Sequence, residues 1–90
     1  INTTAYTLTT LHKDLRTIYA GTKDGIWKSA DEGRIWKQLR GLKGLKITAI
    51  AINPDNSLKV TAATEDGAVY RSEDGGDSWQ QMNPVRDKTP

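Results

Sequence analysis

The chain has 90 residues, of which 36% are hydrophobic with no phenylalanine, and its formal net charge is +2. So small a charge does not indicate a nucleic-acid partner, and no apolar run approaches the roughly 18 residues of a membrane-spanning helix. The absence of cysteine excludes disulfides, a thiolate nucleophile and a cysteine-ligated metal, and it leaves the cellular compartment open. We therefore expect one domain or part of one, with a thin core, because a chain of this length buries only about 60–65% of its unfolded surface.

The predicted elements, in chain order, are short strands. Apolar and β-branched residues alternate or run together for four to seven residues, and clusters of Gly, Asp, Asn and Pro separate these runs. No segment has convincing helical periodicity. The sequence therefore predicts an all-β fold with two sets of four strands, at residues 5–11, 16–21, 26–29 and 36–39 and at residues 47–52, 58–63, 68–72 and 79–82.

The second half of the chain repeats the first. The segment 22–29 aligns with 64–72 when one residue is inserted, and both share the order Thr, acidic turn, apolar, aromatic, basic, Ser. Ser29 and Ser72 are 43 residues apart, as are Trp36 and Trp79. A period in the low forties built from short strands is typical of one four-stranded blade of a β-propeller.

Each repeat contains the pattern Ser-x-Asp-x-Gly-x-x-Trp, at Ser29, Asp31, Gly33 and Trp36 and again at Ser72, Asp74, Gly76 and Trp79. This pattern resembles the Asp-box of bacterial-neuraminidase-type repeats, which occur in β-propellers such as sialidases, sortilin-type receptors and photosystem II assembly factors. The resemblance implies two four-stranded antiparallel propeller blades. It also implies that the motif is structural and lies away from the active face. Ile35 departs from the family pattern, in which Ser or Thr is usual.

The residue types of the motif have a mechanical explanation. A short carboxylate such as Asp31 or Asp74 can accept the N–H groups that a turn leaves unpaired. Gly33 and Gly76 permit a positive φ, and the indole supplies core. As a calcium loop, the acidic residues Glu73, Asp74 and Asp77 lack the regular alternation of ligands. We therefore predict no catalytic residue, no metal and no cofactor.

The repeat divides the chain into blade 1 (residues 1–40), an inter-blade loop (41–46), blade 2 (47–82) and a flexible tail (83–90). Two blades leave two sheet faces bare. If each holds about 400 Å² of apolar surface, burial of that face is worth roughly 10 kcal/mol, and such patches seldom stay exposed on monomers. We expect either self-assembly into a closed ring, a homo-trimer of six blades or a homo-tetramer of eight, or a fragment of a longer propeller.

Strands that alternate in direction place the Asp-boxes at the same end of the blades as the turns near residues 12–14 and 53–57. The opposite end carries the turns at 23–25 and 65–67 and the link 40–46. Lys23, Arg40, Lys43 and Lys46 at that end form a possible ligand face for acidic sugars, phosphates or an acidic protein partner. The simpler interpretation is a solvated loop over two leucines.

Trp27 and Tyr70 occupy equivalent positions in the third strands. We predict that these two aromatic side chains either pack between the blades or form a platform on which a sugar stacks. His12, the only histidine, has no accompanying catalytic motif.

The favoured hypothesis is a non-catalytic β-propeller module, a protein-interaction or ligand-binding scaffold that assembles with itself. The alternatives are a carbohydrate-binding lectin with sites at the blade junctions and an excised fragment of a larger propeller such as a glycoside hydrolase. The arginines do not repeat at corresponding places in the two blades, as the resemblance to sialidases would require for an enzyme. We therefore predict that the chain is not an enzyme.

Overall fold

Eight strands form two four-stranded antiparallel sheets in the computed structural model, which describes residues 4–11 and 14–82. In each sheet the strands pair in chain order. The first sheet, blade 1, contains β1 (Ala5–Leu11), β2 (Asp14–Thr22), β3 (Gly25–Ser29) and β4 (Lys37–Gln38). The second, blade 2, contains β5 (Ile47–Ile52), β6 (Val60–Thr64), β7 (Val69–Ser72) and β8 (Gln80–Gln81).

This architecture confirms the predicted all-β fold of two four-stranded blades. Across the described ranges there is no helix long and apolar enough to cross a membrane. Of the predicted turn at residues 12–14, the first two residues lie outside the described residues, as does the predicted tail at 83–90, and Asp14 belongs to β2 instead.

β1 and β5 have the predicted bounds, β3 and β7 begin within one residue of the prediction, and β2, β6 and both outer strands differ more. β2 extends from Asp14 to Thr22, because its pairing with β1 continues as far as Leu11 and Asp14. β6 begins at Val60, two residues later than expected, because the preceding turn captures the backbone. The side-chain oxygen of Asn56 accepts the N–H of Leu58 at 3.1 Å, and the Lys59 carbonyl accepts the N–H of Asn53 at 2.9 Å. Leu58 is consequently exposed. β4 and β8 have two residues each, so Trp36 and Trp79 precede the outer strands rather than beginning them.

The core lies at the junction of the two blades. It contains buried apolar side chains from both sheets and from the link between them, namely Tyr19, Ile26, Leu39, Leu42, Ile47, Ile50, Val60 and Ala62. Two hydrogen bonds from blade 1 reach one carbonyl of blade 2, because the Tyr19 hydroxyl and the Lys28 ammonium both donate to the Gly75 oxygen, at 3.1 and 3.0 Å. The Thr9 hydroxyl donates to the Ile50 carbonyl. Apolar burial and these bonds hold the two blades face to face.

Candidate functional site

The first Asp-box, residues 29–36, is a turn held by its own side chains. The Ser29 hydroxyl donates to Asp31 at 2.8 Å and accepts the N–H of Gly33 at 2.8 Å. The same Asp31 oxygen accepts the N–H of Ile35 at 2.9 Å. The Trp36 indole closes the turn by donating to the Gly33 carbonyl at 2.9 Å. Each position that defines the pattern, Ser29, Asp31, Gly33 and Trp36, therefore has a hydrogen-bonding role within the turn.

The second Asp-box, residues 72–79, repeats these contacts and adds one. Ser72 donates to Asp74 at 2.7 Å, and the Trp79 indole donates to the Gly76 carbonyl at 3.0 Å. Ser78 donates to Asp74 twice, through its hydroxyl at 2.6 Å and its N–H at 2.9 Å. Ile35 stands at the equivalent position of the first box and has no hydroxyl, so Asp31 lacks this extra donor.

These hydrogen bonds stabilise the ionised carboxylates. The Ser78 hydroxyl, followed by the Ser72 hydroxyl, lowers the pKa of Asp74 to about 2. The N–H of Ile35, followed by the Ser29 hydroxyl, lowers the pKa of Asp31. A general acid needs a pKa raised toward neutrality, so the two carboxyl groups are tuned in the opposite direction. They serve as fixed acceptors in the turns.

In the described part of the chain, including both Asp-boxes, no three His, Asp or Glu side chains lie close enough together to bind a metal ion. Asp66 occupies a turn of its own, where the Thr64 hydroxyl donates to it and lowers its pKa.

The basic residues of the predicted ligand face fall into two places. The link and the Lys23–Asp24 turn are joined by two hydrogen bonds, from the N–H of Gly44 to Asp24 and from the N–H of Gly25 to the Leu45 carbonyl, each 2.7 Å long. This brings the exposed residues Lys23 and Lys43 to the same end of the molecule.

Lys46 lies beside them on the blade 2 side. Its ammonium is 3.4 Å from the Glu65 carboxylate, and it lines a cavity of about 200 Å³ with the turn at 64–66. Arg40 instead lines a separate cavity of about 300 Å³ together with Lys37 and Asp77. Three of the four basic residues, Lys23, Lys43 and Lys46, therefore lie at this end of the blades, whereas Arg40 lines a different cavity.

The equivalent aromatic residues lie in the middle of their blades. Trp27 is opposite Ala20, and Tyr70 is opposite Ala62. Tyr70 packs against the core of the junction. The Trp27 indole nitrogen is buried and has no hydrogen-bond partner among the described residues, so it does not offer its donor to a ligand in solvent. Their stacking role stays a prediction.

Sequence reasoning missed a groove along the outer edge of the junction. A cavity of about 380 Å³ runs between β4, the first Asp-box and Asp77 of the second, and it shares Lys37, Leu39 and Asp77 with the cavity beside Arg40. The exposed Ile35 side chain lies at its margin. The sequence pattern does not predict this groove, because residues from both blades line it.

The comparisons with known proteins agree with this geometry. The family model described as Sortilin-Vps10 (sortilin, neurotensin receptor 3) matches residues 24–89. The crystal structure of an ancestral GH74 enzyme, a β-propeller, superimposes with a TM-score of 0.78 and 22% identity. That likeness covers 87% of this chain and 12% of the enzyme's length, and at this identity it shows the fold alone. No curated protein matches the sequence.

Proposed function

This chain belongs to the Sortilin-Vps10 family, and from that membership we propose that it is a non-catalytic β-propeller module that binds an acidic partner and completes a ring with further blades. The family is not catalytic. Its description names a neurotensin receptor, which favours a polypeptide as the class of partner.

One observation carries the non-catalytic part of the proposal. Two carboxylates recur in both blades, as Asp31 with Asp74 and as Asp24 with Asp66. Turn hydrogen bonds hold Asp31 and Asp74 as ionised acceptors. A hydrolase of the glycosidase type needs two carboxyl groups facing one substrate, one of them with a raised pKa. The two Asp residues meet neither condition, because each is bound within its own turn.

The binding surface that we propose is the end of the blades opposite the Asp-boxes. Lys23 and Lys43 are exposed there, and the hydrogen bonds between their turns fix the backbone beneath them. Lys46 forms an ion pair with Glu65, and the negative carboxylate reduces the contribution of Lys46 to the local positive potential. A closed ring repeats this surface around one end, and repetition of weak sites gives avidity.

Binding to immobilised poly-L-glutamate, a simple acidic polypeptide, tests this surface. A lysine ammonium about 4 Å from a glutamate carboxylate is attracted by about 1 kcal/mol even in water. The double substitution Lys23→Glu with Lys43→Glu removes two such attractions, so it should weaken binding at low ionic strength by at least about tenfold. The matched control is Arg34→Glu with Lys59→Glu, which makes the same change of charge at exposed positions of the Asp-box end. Equal losses in both variants, or no loss in the first, would refute the proposed surface.

Ring completion is tested by the mass of the chain in solution, measured by light scattering after gel filtration. Six or eight blades correspond to three or four copies, whereas a folded monomer at micromolar concentration is inconsistent with self-assembly. A second candidate, part of a longer propeller, is favoured by the fact that the similar GH74 enzyme is covered over only 12% of its length. A monomer with a longer reading frame around these residues would support it.

The lectin alternative makes a different prediction. Binding on a glycan array that is lost with Trp27→Ala, and unaffected by the substitutions at Lys23 and Lys43, would replace the acidic partner by a neutral sugar.

A further inference from the structure

The middle strands of the two blades correspond residue by residue. Tyr19 is opposite Lys28 in blade 1, and Thr61 is opposite Arg71 in blade 2. The pairs on either side correspond in the same way, so Lys28 of β3 has its counterpart in Arg71 of β7. Both are long cations at the same register position.

The Asp-boxes correspond as well. The N–H of Glu32 donates to the Arg16 carbonyl, just as the N–H of Gly75 donates to the Leu58 carbonyl, both at 2.9 Å. Both residues have a positive φ, 69° for Glu32 and 75° for Gly75. Glu32 therefore presents its carbonyl as Gly75 does, although a side chain in this conformation is uncommon.

At the observed junction, side chains of blade 1 bind the Asp-box of blade 2 at Gly75. The Lys28 ammonium and the Tyr19 hydroxyl both donate to the Gly75 carbonyl, and the ammonium lies 5.2 Å from the centre of the Tyr19 ring. The counterparts of the two sides, Arg71 on blade 2 and Glu32 on blade 1, lie on faces that have no neighbouring blade in the described structure.

Positions buried at the junction have exposed counterparts on those two faces. Leu39 is 7% exposed, whereas its counterpart Met82 is 42% exposed. Both donate their N–H to the same place in the third strand, the carbonyls of Ile26 and Val69. Ile50 is 9% exposed, whereas Leu8, at the same register in the first strand, is 64% exposed. The free faces thus present apolar residues at register positions that the junction buries, although Thr61 stands where the junction has Tyr19.

We propose that a second copy of this chain docks head to tail on the first, with blade 2 of one copy against blade 1 of the next, and that Arg71 of one copy binds the carbonyl and the carboxylate of Glu32 in the other. This inference rests on the ring assembly proposed above and names its contact surfaces. The occupant is a second copy because one chain carries both complementary halves, with opposite charges at the position where Lys28 meets Gly75. Such a contact is heterologous, and it forms a closed ring when the rotation from one copy to the next divides a full turn evenly.

The docking is similar to the internal junction without being identical. Ala63 occupies the register position of Gly21, so the inner strands of two copies stand slightly farther apart than β2 and β5 do. Among the described residues, the Arg71 side chain is 3.8 Å from Glu73 and the Glu32 side chain is 4.0 Å from Arg34, two weak and exposed ion pairs within their own blades. Docking exchanges these contacts for a charge-assisted pair across the junction.

Sedimentation equilibrium of the intact chain measures the association constant. Arg71→Glu and Glu32→Arg should each weaken association at least tenfold, and the double variant with both changes should recover most of the loss, because the opposed charges are restored with reversed polarity. The control Asp55→Lys with Lys59→Glu exchanges two exposed charges in the turn before β6 and should leave association unchanged. Circular dichroism verifies that each variant is folded.

Mixing the two single variants gives a second readout. In a ring with alternating copies every junction then pairs one acidic group with one basic group, so a mixture should assemble when neither variant assembles alone. Such alternation requires an even number of copies, and a rescued assembly with the mass of four copies therefore identifies the four-copy ring rather than the three-copy ring.

The outcomes separate this inference from the proposal beneath it. Normal association of Arg71→Glu and Glu32→Arg would overturn the named contact and leave ring assembly standing. A folded wild-type monomer at high concentration would overturn self-assembly together with this contact, whereas binding to poly-L-glutamate is measured independently of either.

Discussion

Gly21→Ala is the substitution that most directly tests how closely the two blades approach each other. Gly21 lies in β2, on the face that meets blade 2. A Cβ at this position would lie 2.8 Å from the Ile47 carbonyl oxygen and 2.7 Å from the Thr7 methyl group. Both distances are shorter than any ordinary van der Waals contact, and the first involves backbone that is held in the β5–β6 sheet.

Two effects of opposite sign determine the expected magnitude. Alanine is favoured over glycine within a strand by about 0.5–1 kcal/mol. Overpacking of a closely packed site costs about 1–3 kcal/mol, and here a rotamer change cannot relieve it, because the atom in the way belongs to the main chain. The contact with the Ile47 carbonyl therefore places the cost at the upper end of that range, about 3 kcal/mol, and we expect a net loss of about 2 kcal/mol in the free energy of unfolding.

Urea denaturation followed by tryptophan fluorescence, at one fixed protein concentration, measures this loss. With a slope near 1 kcal/mol per molar, the midpoint should fall by about 2 M. Ala63→Gly is the matched control at the same register position of blade 2, and only the strand preference of about 0.5–1 kcal/mol should be lost. A neutral or stabilising Gly21→Ala would show that the junction does not form as described.

Three further predictions concern the turns and the junction. Because hydrogen bonds from Ser78 and Ser72 lower the pKa of Asp74 to about 2 from its ordinary 3.8, its stabilising effect should be complete above about pH 4 and lost as the pH falls through about 2. Ser78→Ala should raise that pKa in a carboxyl NMR titration. Gly76→Ala should cost more than Gly67→Ala, since φ is +97° and +94° but only at Gly76 does a Cβ meet neighbouring side chains, one at 2.7 Å. The conformational cost of about 1–2 kcal/mol is common to both. Tyr19→Phe removes a buried donor between the blades and should cost about 0.5–1.5 kcal/mol in urea denaturation.

Each of these has a clear contrary result. An Asp74 pKa near 3.8 in the unsubstituted chain would contradict the bonding in the second Asp-box. Equal losses for Gly76→Ala and Gly67→Ala would mean that the side chains around Gly76 rearrange without cost. An unchanged stability in Tyr19→Phe would show that the hydroxyl is solvated rather than bound to blade 2.

Local chemistry is the part of the structure that could be predicted from the sequence. The bonding of Asp31 and Asp74, the positive φ of Gly33 and Gly76 and the return of the chain at each hairpin depend on residues within four or five positions of one another. Such contacts leave a readable pattern of residue types. The start of β6 was missed although its cause is also local, since bonds from Leu58 to Asn56 and from Asn53 to Lys59 hold these residues in the turn before the strand.

The candidate site was predicted less completely, because contacts between the two blades help to form it. Lys23 and Lys43 were placed at one end of the blades by strand direction alone. Arg40 separates from them, because the chain after β4 runs beside the second Asp-box, where a Cβ on Gly41 would meet the Trp79 ring at 2.4 Å. Gly41 and Trp79 are far apart in the sequence, so no local sequence pattern predicts that they lie side by side.

The sequence by itself determined the repeat, the two sets of four strands and the turn chemistry of the Asp-boxes, since these follow from the period and from short-range hydrogen bonds. Only the tertiary structure decided which face of each blade is covered. Leu39 and Met82, or Ile50 and Leu8, are similar apolar residues at the same register, and they differ in burial because one of each pair has a neighbouring blade. Burial depends on what lies opposite a side chain, and that is a property of the assembled sheets rather than of the residue.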